Sequence, residues 1–226
     1  MNAEQPLANF RRIFRPLNLI LIHQGLWALI LLAADGPRVT DPGQLPWDWW
    51  GVRAGSAALA AVIALLYLYR LPPMTHPLNR ILPGGGPASA RTQVAFGILA
   101  LAVMFTGARL LLESPTDYAA KVVIFGAIDA FAYQIIAFGI AYATFQTSGW
   151  GLAAAIASFA ISWGFRDLIL NIIGDSQAAV VLALIGGAVT GALVAGVLIG
   201  LRHWPGGFWT AWAAQYIVIT LIAGFS

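Results

Sequence analysis

Residues 177–201 read QAAVVLALIGGAVTGALVAGVLIGL and contain no charged side chain. An α-helix rises about 1.5 Å per residue, so a run of this length crosses the apolar core of a bilayer, which is about 30 Å thick. A helix of this composition in water would have no polar face to present to the solvent. The run therefore predicts a membrane-spanning helix, and we apply the same criterion to the rest of the chain.

Seven apolar runs of comparable length occur along the sequence. They cover residues 17–35, 51–70, 92–112, 119–145, 149–174, 177–201 and 206–225. Only 9% of the residues are charged and 60% are hydrophobic, whereas a soluble domain carries about 25% charged residues. The sequence therefore predicts an all-α, polytopic integral membrane protein with about seven transmembrane helices. Residues 1–226 form a single domain in this interpretation, and residues 1–16 are an N-terminal arm.

The charged residues between the runs alternate in sign from one side of the predicted membrane to the other. Cytoplasmic segments of membrane proteins carry an excess of Arg and Lys. One set of segments holds Arg11, Arg12, Arg15, Arg70, Arg80, Arg91 and Arg202. The other set holds Asp35, Asp41, Asp48, Glu113, Asp117 and Asp175, together with Arg38 and the flanking Arg53 and Lys121. This pattern predicts a cytoplasmic N-terminus, an external C-terminus and a location in the inner (cytoplasmic) membrane. The first run follows basic residues, and we interpret it as a retained signal anchor.

The sixth run contains two pairs of glycines at four-residue spacing, Gly187/Gly191 and Gly196/Gly200. Residues four apart lie on one face of a helix, and glycine lets a neighbouring backbone come close. This GxxxG-type pattern predicts close helix packing. It fits burial of the sixth helix within the chain and it fits contact with another subunit, and the sequence leaves both open.

Polar side chains deep in an apolar run are the first candidates for function, because a charge in the bilayer core is costly unless it is paired or hydrated. Asp129 lies near the middle of the fourth run, whereas Arg166 and Asp167 lie late in the fifth. One interpretation is a structural ion pair, in which Arg166 reaches Asp129 or pairs locally. The other is a substrate or ion pathway. Its candidate residues are Asp129, Gln134, Arg166, Asp167, Asn171 and Gln215.

His23 lies within the first run, next to Gln24. A neutral imidazole in a membrane can ligate the metal of a haem or a chlorophyll, or relay a proton. More often, a lone histidine is a hydrogen-bonded packing residue. His76 falls in a loop and His203 at a helix end, so the second deep histidine of a bis-histidine haem is missing. His23 is therefore a weak candidate for cofactor binding.

The signatures of several membrane enzymes are absent from the sequence. There are no cysteines, and the three histidines are widely separated without a His-Glu-x-x-His motif. Neither the Gly-x-Ser-Gly motif of rhomboid proteases nor the paired aspartates that bind prenyl diphosphates occur. We predict no catalytic residue and no metal site. A non-catalytic role is favoured, although an enzyme of another kind is left open.

Two short stretches resemble parts of known membrane families. Residues 200–215, GLRHWPGGFWTAWAAQ, are similar to the last helices of the CAAX-protease-like family, with Gln215 roughly where a histidine is expected. Residues 164–171, GFRDLILN, resemble the pore helix of small mechanosensitive channels, without the soluble β domain that follows it there. Each stretch covers less than a quarter of the chain, and no functional residue is transferred from either family.

Two functional hypotheses follow. The first is a non-catalytic subunit or assembly partner of a larger membrane complex, favoured by the sparse chemistry and the small-residue helix face. The second is a small transporter or channel with a polar pathway around Asp129 and Arg166. The expected partners are membrane lipids and other membrane protein subunits, and not nucleic acid, since the arginines are scattered. The cofactor is unknown, with a bound lipid or pigment among the possibilities.

Overall fold

The computed structural model describes residues 13–39, 41–69, 90–145, 148–174, 180–202 and 208–223. Within these ranges the regular structure is helical, without any strand. Of the loop at residues 71–91, only residues 90 and 91 belong to the described part of the chain. Outside it lie Arg11, Arg12, Arg70, Arg80 and Asp175, on which the predicted charge alternation partly depends.

Seven helices run through the described ranges. They are α1 (Ile13–Ala33), α2 (Trp47–Tyr69), α3 (Ala90–Glu113), α4 (Thr116–Phe145), α5 (Gly151–Ile173), α6 (Val180–Arg202) and α7 (Phe208–Ala223). Each overlaps one of the seven apolar runs of the sequence. α1 begins four residues before its run, so part of the predicted arm is helical.

Five of these helices are long and apolar enough to cross a membrane: α1, α2, α4, α5 and α6. The described part of α7 has 16 residues, about 24 Å at the rise of an α-helix. The fold is therefore that of a helical membrane protein. Five candidate spans are distinguished by length and composition among the described residues, fewer than the seven predicted from the sequence.

α4 is the central helix of the bundle. It packs against α2, α3, α5 and α7, while α1 packs against α2 and α5. Its second half contains a π-helical segment, Ile135–Ala141, in which every residue is buried. A shorter π-helical segment, Leu21–Gly25, lies inside α1. Single-turn π segments within α-helices occur frequently at functional sites. The segment in α1 forms part of the polar centre described below, and the segment in α4 begins six residues after Asp129.

α5 and α6 pack in close contact, and small residues account for it. A Cβ atom placed on Gly187 would lie 2.7 Å from the carbonyl oxygen of Trp163, and one on Gly191 would lie 2.7 Å from that of Phe159. Gly164 approaches the backbone of α6 in the same way. One glycine pair of the sixth run therefore packs inside the chain, against α5.

The second glycine pair of α6 is placed differently. A Cβ atom on Gly196 or Gly200 would have no neighbour within 4 Å among the described residues. Nine residues separate Gly187 from Gly196, which is half a turn more than two full turns of an α-helix. The two pairs therefore lie on opposite faces of α6, and they do not form one packing surface.

Candidate functional site

A histidine–aspartate pair lies in the centre of the bundle. The Nε2 atom of His23, in α1, is 2.7 Å from Oδ1 of Asp129, in α4. The two residues are only 2% and 7% exposed. A nitrogen–oxygen distance of this length is typical of a charge-assisted hydrogen bond. The pair links two helices that are far apart in the sequence, and it fixes the orientation of the imidazole.

Gln24 and Tyr133 extend the pair into a larger polar cluster. Nε2 of Gln24 donates to the hydroxyl of Tyr133 over 2.8 Å. The same nitrogen is 3.2 Å from Nδ1 and 3.4 Å from Nε2 of His23, nearly equal distances that place it against the ring face. The Tyr133 ring meets the imidazole edge to face, with centroids 4.6 Å apart. The imidazole is thus enclosed by Asp129, Gln24 and Tyr133.

The π-helical segment explains how two consecutive residues of α1 both reach α4. His23, Gln24 and Gly25 are all buried, whereas neighbouring residues of an α-helix point about 100° apart. The wider π turn brings His23 and Gln24 together on the inner face. The sequence gives no signal for this turn, because its residues also suit a regular α-helix. The sequence analysis therefore considered a hydrogen-bonded packing role for His23 without identifying its hydrogen-bond partner.

Arg53 is a functional candidate that the sequence analysis missed. It was interpreted as a flanking charge outside the membrane, but its side chain is buried. Its guanidinium carbon lies 4.6 Å from the ring centre of Trp27 and 4.9 Å from that of Phe125. Cation–π contacts of this kind stabilise a guanidinium that has lost part of its hydration. Its position near the start of α2 gave no indication that it turns inward.

Arg166 pairs locally and not with Asp129. Its Nε atom donates to Oδ1 of Asp167 over 3.0 Å, and its guanidinium lies 4.5 Å from the ring centre of Trp163. Of the two alternatives predicted for this arginine, the structure therefore has the local pair. Arg166 and Asp129 nevertheless line the same two cavities.

The larger cavity has a volume of about 510 Å³. Pockets for drug-sized ligands occupy about 300–1,000 Å³. Arg53, Asp129 and Arg166 line one part of it, and apolar residues of α6 and α7 line most of the rest. Leu193 and Val197, on its α6 wall, are 68% and 65% exposed. The cavity therefore reaches the apolar surface of the bundle along α6.

A smaller chamber adjoins the polar part of this cavity. It is lined by three apolar residues and by His23, Gln24, Arg53, Asp129 and Arg166, and its volume of about 10 Å³ leaves room for about one water molecule. Phe125 and the three charged residues belong to both walls. The chamber thus lies beside both the imidazole of His23 and the larger cavity.

Three of the six predicted pathway residues line the larger cavity: Asp129, Arg166 and Gln215. Nε2 of Gln134 donates to Oε1 of Gln215 over 2.8 Å, joining α4 to α7 behind the wall. Asp167 supports Arg166 from outside the cavity, and Asn171 is partly buried one turn beyond it. The remaining three residues, Gln134, Asp167 and Asn171, are therefore adjacent to the cavity and not part of its wall.

Two residues that line the cavity each carry a buried side-chain nitrogen without a hydrogen-bond partner among the described residues. They are Nε1 of Trp163 and Nε2 of Gln215. Both side chains are more than nine-tenths buried, at 6% and 2% exposure. A buried donor without an acceptor loses the free energy of its hydration. Both nitrogen atoms have essentially no accessible surface, so they lie behind the wall and do not face the open cavity.

The contacts of His23 also bear on the hypothesis that it binds a cofactor. Its Nε2 atom is engaged by Asp129, and the amide of Gln24 lies against the ring. No group of three His, Asp or Glu side chains with a metal-binding arrangement occurs in the described ranges. The structure places His23 in a polar cluster with Asp129, and its use as a metal ligand would require that cluster to open.

Comparisons with known proteins add no further constraint. No protein-family profile matches the sequence, no curated protein is significantly similar to it, and no solved structure matches the fold. The class of protein, a helical membrane protein with a polar centre beside an apolar cavity, therefore comes from the chain itself.

Proposed function

We propose that this protein is a small membrane transporter whose solute passes through the larger cavity. One observation carries this proposal: Arg53, Asp129 and Arg166 line a cavity of about 510 Å³ that reaches the surface of the bundle. Charged side chains within membrane segments typically mark substrate or ion pathways. If these charges had a purely structural role, we would expect packed side chains around them and no cavity.

The position of the cavity supports a solute with an apolar part. Its α6 wall opens on the lipid-facing side of the bundle, where an apolar chain can enter without crossing water. Its other end is lined by Asp41 and Pro42, in the connection between α1 and α2. A path that joins a lipid-facing opening to a loop is suited to a molecule that partitions into the bilayer.

We further propose that the chain crosses the membrane seven times, with a cytoplasmic N-terminus, in the inner membrane. The five candidate spans, together with the packing of α3 and α7 against α4, support this arrangement. The arginine distribution of the sequence supports the orientation.

Proteoliposomes provide a direct test of transport. Vesicles containing the wild-type protein are incubated with a defined mixture of fatty acids, amino acids and sugars, collected by filtration and analysed by mass spectrometry. We expect at least one solute to accumulate in wild-type vesicles and not in vesicles with Asp129→Asn or without protein. The same solute content in all three would overturn the proposal.

A second candidate function is a subunit of a larger membrane complex. The specific observation in its favour is that Gly196 and Gly200 have no neighbour on that face of α6 among the described residues, where another helix could approach closely. Native mass spectrometry after mild-detergent purification tests this role. A stoichiometric partner that is lost in Gly196→Leu would support it, and a lone protein would count against it.

A further inference from the structure

We infer that the larger cavity binds one molecule of an uncharged, single-chain lipophile that carries a hydroxyl group, that is, a long-chain alcohol. The inference rests on the proposed function, because it names the solute class of the same cavity. In this arrangement the hydroxyl lies beside Arg166 and Asp129, and the chain follows the apolar wall of α6 and α7 toward the lipid-facing opening.

Both aspartates that line the cavity are already engaged by neighbours within the chain. Oδ1 of Asp129 lies 2.7 Å from Nε2 of His23. Asp41 accepts from the hydroxyl of Tyr118 and from the backbone amide of Gly43, each over 2.8 Å. A cationic ligand would have to compete with these contacts for a carboxylate. The two carboxylates on the wall therefore do not favour a cation as the ligand.

Both arginines that line the cavity are engaged as well. Nε of Arg166 donates to Oδ1 of Asp167 over 3.0 Å. The guanidinium of Arg53 contacts the rings of Trp27 and Phe125. An anionic ligand would have to compete with these contacts in turn. Because a charge added to a medium of low dielectric constant without a counter-ion is strongly unfavourable, the wall favours an uncharged ligand, which leaves every one of these contacts intact.

A hydroxyl group suits the polar part of the wall, where arginines and aspartates line the same space. Arg166 and Asp129 keep 28% and 10% of their side chains accessible. A guanidinium only donates hydrogen bonds and an ionised carboxylate only accepts them, whereas a hydroxyl does both. The hydroxyl of an alcohol can accept from the first and donate to the second without adding a charge. A plain hydrocarbon makes neither hydrogen bond.

The rest of the cavity indicates an apolar chain. Val194, Leu198 and Val218 line it between the helices, and the exposed Leu193 and Val197 line it where α6 meets lipid. A chain in this position replaces lipid contacts with protein contacts and buries no polar group. The volume of about 510 Å³ suits one ligand of drug-like size. A phospholipid fits less well, because its ionic head group would need a counter-ion on a wall whose charges are already engaged.

Equilibrium binding to the protein in nanodiscs tests the inference. The probe is radiolabelled hexadecanol at low mole fraction in the lipid, with binding to empty nanodiscs subtracted. We expect saturable binding of one molecule per protein, which unlabelled hexadecanol displaces. Hexadecane, hexadecanesulfonate and hexadecyltrimethylammonium are expected to need at least a tenfold higher mole fraction for the same displacement. The four competitors share one chain and differ at its end, so their order reports the polar end of the site.

Two tryptophan substitutions on α6 form a matched pair of variants. Val197 lines the cavity and is 65% exposed, whereas Leu182 is 70% exposed and lies outside the cavity. Since both side chains point away from the core, neither substitution requires the bundle to repack. We expect Val197→Trp, which narrows the opening, to weaken hexadecanol binding at least tenfold. Leu182→Trp is expected to leave it unchanged.

Three results would overturn the inference. They are an absence of saturable binding above that of empty nanodiscs, displacement by hexadecane or by either ion at the same mole fraction as hexadecanol, and equal binding to the Val197→Trp and Leu182→Trp variants. The competition uses the wild-type protein, so misfolding of a variant does not protect the inference. A phospholipid retained in a fixed ratio, without binding of hexadecanol, would assign the cavity to bilayer lipid instead.

Transport is tested separately, by transfer of hexadecanol from proteoliposomes to acceptor vesicles. We expect transfer to be faster than from vesicles without protein. Binding as expected without faster transfer would overturn transport alone. Uptake of an amino acid or a sugar into proteoliposomes, without binding of hexadecanol, would overturn the ligand class alone.

Discussion

The Nε2 atom of His23 lies 2.7 Å from Oδ1 of Asp129, although 106 positions separate the two residues in the sequence. The contact joins the middle of α1 to the central helix α4, beside the buried Arg53 and the partly exposed Arg166 and at the wall of a cavity. Four predictions test how far this arrangement determines stability and access.

The charge of Asp129 is expected to stabilise the fold. Asp129→Asn keeps a side chain of nearly the same size but leaves Arg53 and Arg166 without that negative charge. Removing one partner from a buried charge cluster costs about 3 kcal/mol, so we expect a loss of that order in unfolding by increasing SDS. Glu113→Gln, in a pair whose side chains are 39% and 56% exposed, is the control. We expect it to change stability by less than about 1 kcal/mol. Equal effects of the two variants would contradict a special role for the buried charge.

The cavity is expected to be accessible to small reagents. Because the chain has no cysteine, a single introduced cysteine reports on its own position without background. Ala214 lines the larger cavity, and Ala60 is fully buried in a packed cluster. We expect a methanethiosulfonate reagent to label Ala214→Cys at least tenfold faster than Ala60→Cys. Similar rates would mean either that the cavity is closed or that the bundle opens as a whole.

The two glycine pairs of α6 are expected to respond differently to the same small change. A methyl group in Gly191→Ala would lie 2.7 Å from the backbone of α5, and overpacking of this kind costs about 1–3 kcal/mol. The added methyl group of Gly196→Ala meets no atom of the described residues within 4 Å, so alanine's higher helix propensity is expected to leave stability equal or slightly raised. Thermal unfolding of the two purified variants measures the contrast. Destabilisation by Gly196→Ala would reveal a contact on the face that has no neighbour within the described chain.

The hydroxyl of Tyr118 is expected to hold one end of the cavity. It donates to Oδ2 of Asp41 over 2.8 Å, which fixes the connection between α1 and α2 against α4. Tyr118→Phe removes this hydrogen bond and is expected to lower stability by about 1 kcal/mol. Faster labelling of Ala214→Cys in the same background would show that the connection limits access. Tyr216→Phe is a useful comparison, because Tyr216 lies on α7 and does not line the cavity.

Part of the site could be predicted from the sequence, because the apolar composition implies that the helices lie in a lipid bilayer. Asp129 and Arg166 were recognisable as candidates, since a charge within an apolar run is exceptional wherever it lies. Gln215 was recognisable for the same reason. Arg53 was not, because a residue near the start of a helix can point to water or to protein, and composition does not distinguish the two. Asp167 and Asn171 were predicted as pathway residues, but they lie beside the cavity wall. Helical spacing shows which residues share one face of a helix, and it does not show what that face packs against.

The sequence by itself determined the helical membrane character of the chain and the approximate positions of its helices. These follow from local properties: long apolar runs satisfy their backbone hydrogen bonds within each helix, and few charges interrupt them. Only the tertiary structure decided that His23 meets Asp129, that Arg166 pairs with Asp167, and that Gly187 faces α5 while Gly196 faces outward. Those relationships depend on the rotation and depth of one helix against another. They arise from the sum of many packing contacts, and no single stretch of sequence contains that information.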